Sequence, residues 1–190
     1  MMKGILFVFS GPSGVGKGTV LDRLFERYDE VEYSVSMTTR SPRDHEVDGE
    51  DYYFVSEEEF EEIKEDEGFI EWACVHGNCY GTPRETVYRA LEDGRDIILE
   101  IDIQGAKQVR EIFPEAVFIF LEPPSFSALE KRLTKRGSED SRDQKLRLEN
   151  AREEINEAAM YDYRVVNDDI DRAVEELIEI FEKEKSRRDE

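Results

Sequence analysis

Residues 5–19 read Ile5-Leu6-Phe7-Val8-Phe9-Ser10-Gly11-Pro12-Ser13-Gly14-Val15-Gly16-Lys17-Gly18-Thr19, and their pattern decides the fold. A continuous apolar run stops at Ser10-Gly11-Pro12, which predicts a strand buried on both faces, as in a parallel sheet. Val20, Leu21, Leu24 and Phe25 follow at helical spacing up to Tyr28. The segment between has the Gly-x4-Gly-Lys spacing of a phosphate-binding loop, in the strand-to-helix context that this motif requires. Gly11, Gly14 and Gly16 let backbone N–H groups turn inward around phosphate oxygens. The helix N-terminus adds a positive dipole end, and Lys17 supplies a cation for β- and γ-phosphates. Pro12, Ser13, Val15, Gly18 and Thr19 complete the expected nucleoside triphosphate loop. The hydroxyl that usually follows the lysine comes one place later, at Thr19, because Gly18 intervenes. Magnesium is therefore expected to be held through phosphates and water rather than by a direct hydroxyl ligand.

Working outward, buried strands are expected over 96–103, 116–121 and 163–166. Helices are expected over 84–91, 104–113, 125–136 and 170–185. Strands alternating with helices predict a doubly wound α/β fold with a central parallel sheet flanked by helices. Two stretches break the rhythm. Residues 35–88 hold a Thr/Arg/Pro loop, the run Tyr52-Tyr53-Phe54-Val55, a very acidic helix over 56–67 and short strands near 69–75 and 78–82. They read as a small α+β lobe. Residues 126–158 are almost all helical, broken at Gly137-Ser138, and read as a helical lid. The whole is expected to be one domain, with a core over 1–34, 89–125 and 159–190.

The chain has 190 residues, with 26 Lys and Arg against 47 Asp and Glu, for a formal charge of −21. The hydrophobic fraction of 38% is enough for a real core, so a disordered acidic chain is not expected. The charge argues against non-specific binding to nucleic acid or anionic membrane. An anionic ligand must then meet local cationic clusters. Cys74 and Cys79 lack the second pair of a zinc site and are expected to be reduced thiols. The apolar run at the N-terminus is too short for a signal peptide or a membrane span. A cytoplasmic protein is expected.

Two more basic sites stand out. Arg40 and Arg43 straddle a Pro-stiffened turn, and two forked guanidiniums on one short loop suit a second phosphate group. Tyr52 and Tyr80 could add phenol donors. The competing reading is a solvated loop with ion pairs to Asp44 and Glu46. The second site is 128–148, with seven cations against four anions. Arg132 and Arg136 are four apart and share a helix face. Such arginines could close over a transferring phosphoryl group, or could simply face solvent. A triphosphate loop, a second phosphate site and a basic helical segment form the layout of a nucleoside monophosphate kinase. Guanine presents two parallel donors, N1–H and N2–H2, which a carboxylate accepts in a fork. Glu71, in a short apolar strand, and Asp102, at the end of a central strand, are the candidate carboxylates. Ser36 and Thr82 add short hydroxyls.

At these residues the sequence closely resembles guanylate kinase of bacterial type, over about residues 4–185. The resemblance rests on Ser-Gly-Pro-Ser-Gly-Val-Gly-Lys, Ser-Val-Ser-Met-Thr-Thr-Arg-Ser-Pro-Arg, Asp-Gly-Glu-Asp-Tyr-Tyr-Phe, Phe-Ile-Glu-Trp-Ala, Gly-Asn-Cys-Tyr-Gly-Thr, Glu-Ile-Asp-Ile-Gln-Gly-Ala and Val-Val-Asn-Asp-Asp. It implies MgATP-dependent phosphorylation of GMP and dGMP. It implies that Ser36, Glu71, Thr82 and Asp102 read guanine, and that Arg40, Arg43, Tyr52 and Tyr80 bind the GMP phosphate. It further implies that Lys17, Arg132, Arg136 and Arg147 serve phosphoryl transfer, and that the segment near Asn167 meets the adenine of ATP. Two positions depart from the family pattern. Cys79 stands where Tyr is frequent. Glu100 stands where Asp is usual, which bears on its contact with magnesium-bound water or with GMP. Rival readings are a kinase for another nucleotide, such as AMP, and a phosphopeptide-binding module that resembles guanylate kinase. Such modules typically lack a working phosphate loop, and here residues 11–19 are complete.

Overall fold

The computed structural model describes residues 4–75, 77–135 and 141–189. The nine strands among them form two sheets. The larger has the order β2-β7-β1-β8-β9, from Val31–Tyr33, Asp96–Glu100, Leu6–Ser10, Val117–Glu122 and Tyr163–Val166. β2 pairs with β7 in parallel, as does β8 with β9. The smaller has the order β4-β3-β6-β5, from Tyr53–Phe54, Met37–Thr38, Asn78–Pro83 and Phe69–Val75. Here β3 pairs in parallel with β4 and antiparallel with β6, and β6 is antiparallel to β5. This is the expected α/β fold.

The chain divides into two compact units, Met1–Phe7 with Val31–Ala116, and Val8–Glu30 with Val117–Glu190. The first holds the small sheet and helices α2 (Glu57–Glu65), α3 (Arg84–Glu92) and α4 (Ile103–Ile112). Helix α2 starts where the Ser56 side chain accepts the Glu59 N–H, satisfying one of the open donors of the first turn. It buries Phe60, which stacks on Phe69 at 4.6 Å between ring centroids. The second unit holds α1 (Lys17–Phe25), α5 (Phe126–Lys135), α6 (Ser141–Asn156), a 3-10 turn at Glu157–Met160 and α7 (Ile170–Asp189). The apolar stripe of α7, with Val174, Leu177 and Phe181, is buried, and Phe181 meets Tyr28 after the end of α1. Phe118 and Phe120 of β8 both pack on Tyr161. No helix among the described residues is long and apolar enough to cross a membrane.

Three expectations change. Strand β2 is absent from the sequence reading, because three residues with Glu32 in the middle give no periodic signal. The strand expected over 96–103 ends at Glu100. Asp102 instead caps α4, its side chain accepting the Gly105 N–H at 2.8 Å. Ile101 and Ile103 are buried, so they extend the apolar pattern past the end of the strand. The cysteines are not thiols: Cys74 and Cys79 form a disulfide. They lie directly opposite one another in the β5–β6 ladder, with Cα atoms 4.0 Å apart. An x4 spacing that lacks a zinc set is also the spacing of facing residues across a tight hairpin.

Phe120 is fully buried in β8. Phe120→Ala is expected to cost about 3–5 kcal/mol, read as a lowered urea midpoint with an unchanged slope.

Candidate active site

In the second unit, β1 ends at Ser10 and α1 begins at Lys17. The intervening loop needs its glycines at two points. Gly14 has φ 80° and Gly16, the residue preceding the helix, has φ 102°, in the left-handed region that strains any side chain. The Val15 N–H donates to the Pro12 carbonyl at 3.1 Å, and Lys17 Nζ donates to the Gly11 carbonyl at 2.7 Å. The lysine thus lies back over the loop. The Ser13 N–H donates to a Glu154 carboxylate oxygen at 3.3 Å. On the other side, the Val15 carbonyl accepts from Asn167 Nδ2 and from Arg132 Nη1, both at 2.8 Å. Arg132 Nη2 also donates to the Asn167 carbonyl at 3.3 Å. Thr19 is exposed in the first turn of α1. A Cβ added at Gly18 would meet nothing within 4 Å, so space does not require glycine there.

In the first unit, Glu71 is the decisive group. Strict alternation along β5 would send it to the face opposite Ile70, yet both are buried. A register shift between Phe69 and Glu71 accounts for this, since a bulge re-aims the side chains beyond it. Glu71 faces Thr82 across the ladder, and the Thr82 hydroxyl donates to Glu71 Oε1 at 2.6 Å. The other oxygen lies against the first turn of α4. A Cβ built on Gly105 would stand 2.2 Å from Glu71 Oε2, so the carboxylate fits only because residue 105 has no side chain. Asp102 adds a second carboxylate at the same helix end. Ser36 is buried just before β3, and its carbonyl accepts the Tyr53 N–H.

The second cluster of this unit surrounds Arg40. Its Nη1 and Nη2 each donate to one Glu46 carboxylate oxygen, both at 2.9 Å. The guanidinium lies 5.4 Å from the Tyr52 ring centroid and 5.9 Å from that of Phe54. Tyr52 in turn meets Tyr80 edge-on at 6.0 Å. The Arg43 N–H also donates to Glu46, while the Arg43 side chain is 66% exposed. Arg40, first by its hydrogen bonds, holds the Glu46 carboxyl down to about 2. The Tyr52 phenol is pushed up to about 12, first by burial and then by the Glu100 charge, so it stays a proton donor at neutral pH.

The structure thus gathers Glu71, Thr82 and Asp102 into one group, and Arg40, Tyr52 and Tyr80 into another. Lys17, Arg132 and Asn167 gather on the glycine loop. Arg136 lies outside the described residues, as does the side chain of Arg147 on α6. The sequence reading gave Glu46 only as an ion-pair partner, although it is the group that orients Arg40. Its place six residues after Arg40 and three after Arg43 was the available signal. Gly105 stood inside a quoted motif with no role assigned.

The Glu71 carboxyl is pushed up to about 7 by burial, against the Thr82 hydrogen bond, with the Asp102 charge adding to the rise. The folded chain therefore holds this proton more tightly than the unfolded one. The resulting stability is complete below about pH 4.5 and is lost as pH rises through about 7. Glu71→Gln should stabilise the fold by up to about 3 kcal/mol at pH 8 and hardly at all at pH 4.5. Urea unfolding at the two pH values measures this, and an equal effect at both would contradict it.

A family model described as guanylate kinase matches residues 3–184. A guanylate kinase of Caldanaerobacter subterraneus subsp. tengcongensis is 51% identical over 187 residues, spanning 98% of this chain and 91% of that protein. One of Oceanobacillus iheyensis is 50% identical over the same length, spanning 98% and 91%. The crystal structure of guanylate kinase from Anaplasma phagocytophilum aligns with a TM-score of 0.81 at 37% identity, over 97% of this chain and 87% of that one. With sequence and backbone both matched nearly end to end, the chain belongs to the guanylate kinase family.

Proposed function

We propose that the Glu71 group reads guanine, the Arg40 group binds the GMP phosphate and the glycine loop holds ATP, as a guanylate kinase requires. The chain transfers the γ-phosphoryl group of ATP to GMP, giving GDP and ADP. The observation that carries the residue assignment is the buried Glu71 carboxylate. One of its oxygens is held by Thr82 and the other packs on Gly105. A carboxylate kept from water answers a partner that brings two N–H donors on one edge, as guanine does and adenine does not. Asp102 and Ser36 lie at the same pocket in this reading. The guanine edge is the same in GMP and dGMP, so both are substrates.

Arg40 is held by Glu46 and by two aromatic rings before any phosphate arrives. Its position is therefore set in advance, and GMP binding costs little side-chain ordering there. Arg43, exposed beside it, and the phenols of Tyr52 and Tyr80 supply the remaining donors. On the glycine loop, backbone N–H groups and Lys17 take the β- and γ-phosphates, and Asn167 marks the adenine side. The acceptor phosphate is already an anion, so no general base is needed. Positioning, water exclusion and charge neutralisation carry the reaction. Arg132, Arg136 and Arg147 belong to segment 126–158, cationic over 128–148, which we assign as the lid, with 35–88 as the GMP lobe.

Among the described residues no three His, Cys, Asp or Glu side chains are grouped to hold a metal ion. The Thr19 hydroxyl is exposed in the first turn of α1, two residues past Lys17. That set fits Mg2+ carried by phosphates and water, with Thr19 as its protein contact. The ion would neutralise charge on the β- and γ-oxygens. Glu100, whose charge acts on Tyr52, serves the GMP side in this reading. The net charge of −21 favours no nucleic acid partner, and the location that suits both substrates is the cytoplasm.

A coupled ADP-release assay with GMP, dGMP, AMP and UMP tests the reading. Turnover of GMP and dGMP is expected, and comparable turnover of AMP would overturn the base assignment. Glu71→Gln should raise the GMP KM by about 10–100-fold, the worth of hydrogen bonds to a charged group, and narrow the preference for GMP over IMP. The native GMP KM should also fall between pH 6 and 8 as Glu71 loses its proton. Glu71→Gln should keep only the change due to the substrate phosphate. Gly105→Ala should raise the GMP KM while leaving the ATP KM within about twofold, a spread below the energy of one hydrogen bond. In a Glu71→Ala background the same change should have no further effect on GMP.

A further inference from the structure

The Val15 carbonyl accepts two side-chain donors among the described residues, both from far along the chain. Asn167 Nδ2 and Arg132 Nη1 both reach it at 2.8 Å. Only the NH2 end of an asparagine amide can donate to a carbonyl, which fixes how the Asn167 side chain is turned. Asn167 itself is held on every side. Its N–H donates to the Glu122 carbonyl at the end of β8, at 2.8 Å. Its carbonyl accepts from Arg132, and it is 4% exposed. A Cβ added at Gly16 would stand 2.9 Å from Nδ2, so the amide packs directly on the Gly16 Cα.

No described peptide bond is cis. In a planar trans peptide the C=O and the following N–H point in opposite directions. Holding the Val15 carbonyl toward Asn167 and Arg132 therefore turns the Gly16 N–H away from them. We propose that Asn167 is a positioning residue of the phosphate loop. With Arg132, it locks the Val15–Gly16 peptide so that the Gly16 N–H is presented to the phosphates of the bound triphosphate. This rests on the reading of residues 11–19 as the triphosphate site. It assigns Asn167 a role that does not depend on the base. An amide already spent on Val15 and packed against Gly16 supports the chain that holds phosphate, whatever nucleoside follows.

The test uses a ligand without a base. Inorganic tripolyphosphate and ATP are titrated, each in magnesium buffer, into the full chain, Asn167→Asp and Asn167→Ala. Asn167→Asp keeps the shape but sets a carboxylate oxygen against the Val15 carbonyl oxygen. It should weaken both ligands by the same factor, about tenfold or more, as expected for an unmade buried hydrogen bond. Asn167→Ala should weaken both equally by a smaller factor, and it stands as the test should the aspartate variant not fold. The GMP KM should stay within about twofold in either variant, since the GMP groups make no use of this peptide. Weakened ATP binding with unchanged tripolyphosphate binding would overturn the proposal and leave Asn167 as a reader of adenine. Unchanged binding of both would overturn it as well. If the unaltered chain failed to bind tripolyphosphate, the phosphate-loop reading itself would fall.

Discussion

An unscreened carboxylate in a protein interior is among the most costly groups a small domain can carry. The first unit is arranged around one. Glu71 is buried by a bulge in β5, takes one hydrogen bond from Thr82, and leans on a helix turn left bare by Gly105. Each of these features lowers the cost of the charge without removing it. The carboxyl remains hard to ionise, and a partner with two adjacent N–H donors would relieve it. The stability that is lost as pH rises through about 7 is a result of the same burial.

The other charges follow the opposite logic. Residues 44–67 carry thirteen acids against a single Lys, yet all but Glu46 are exposed to water, where they cost little. Within that acidic stretch, Glu46 is set apart by being 7% exposed and doubly bonded to Arg40. The reading of Arg40 as a phosphate ligand and the reading of it as an ion-pair partner are therefore not exclusive. The ion pair is what holds the cation in place.

The larger sheet was legible in the sequence chiefly where its strands are apolar runs, β9 being interrupted only at Arg164. Residues 5–9, 116–121 and 163–166 announce themselves, and the loop at 11–19 follows from glycine spacing alone. Short elements were not legible: Val31–Tyr33, Met37–Thr38 and Tyr53–Phe54 are too brief for any period to show. At the site, the residue types were readable and their pairings were not. Glu71 could be seen as a charge in an apolar strand, but the bulge that buries it arises from how two strands meet. The disulfide escaped for a related reason, since x4 spacing means nothing until a hairpin sets Cys74 opposite Cys79. Asn167 was found by resemblance, and only the fold shows that its side chain is spent on Val15.

That covalent link has a bearing on fidelity. In a sheet, side chains alternate faces, so a slip by one residue exchanges one face for the other. Tyr80 and Thr82 follow Cys79 on β6. The Cys79 carbonyl accepts the Thr39 N–H and the Thr38 hydroxyl, and its N–H donates to the Thr39 side chain. The S–S bond fixes which residue of β5 faces which residue of β6, and the Cys79 backbone passes that alignment on to β3. A mispaired hairpin would point Thr82 away from Glu71 and Tyr80 away from Tyr52. With the disulfide closed, Thr82 stays opposite Glu71 and Tyr80 stays against Tyr52.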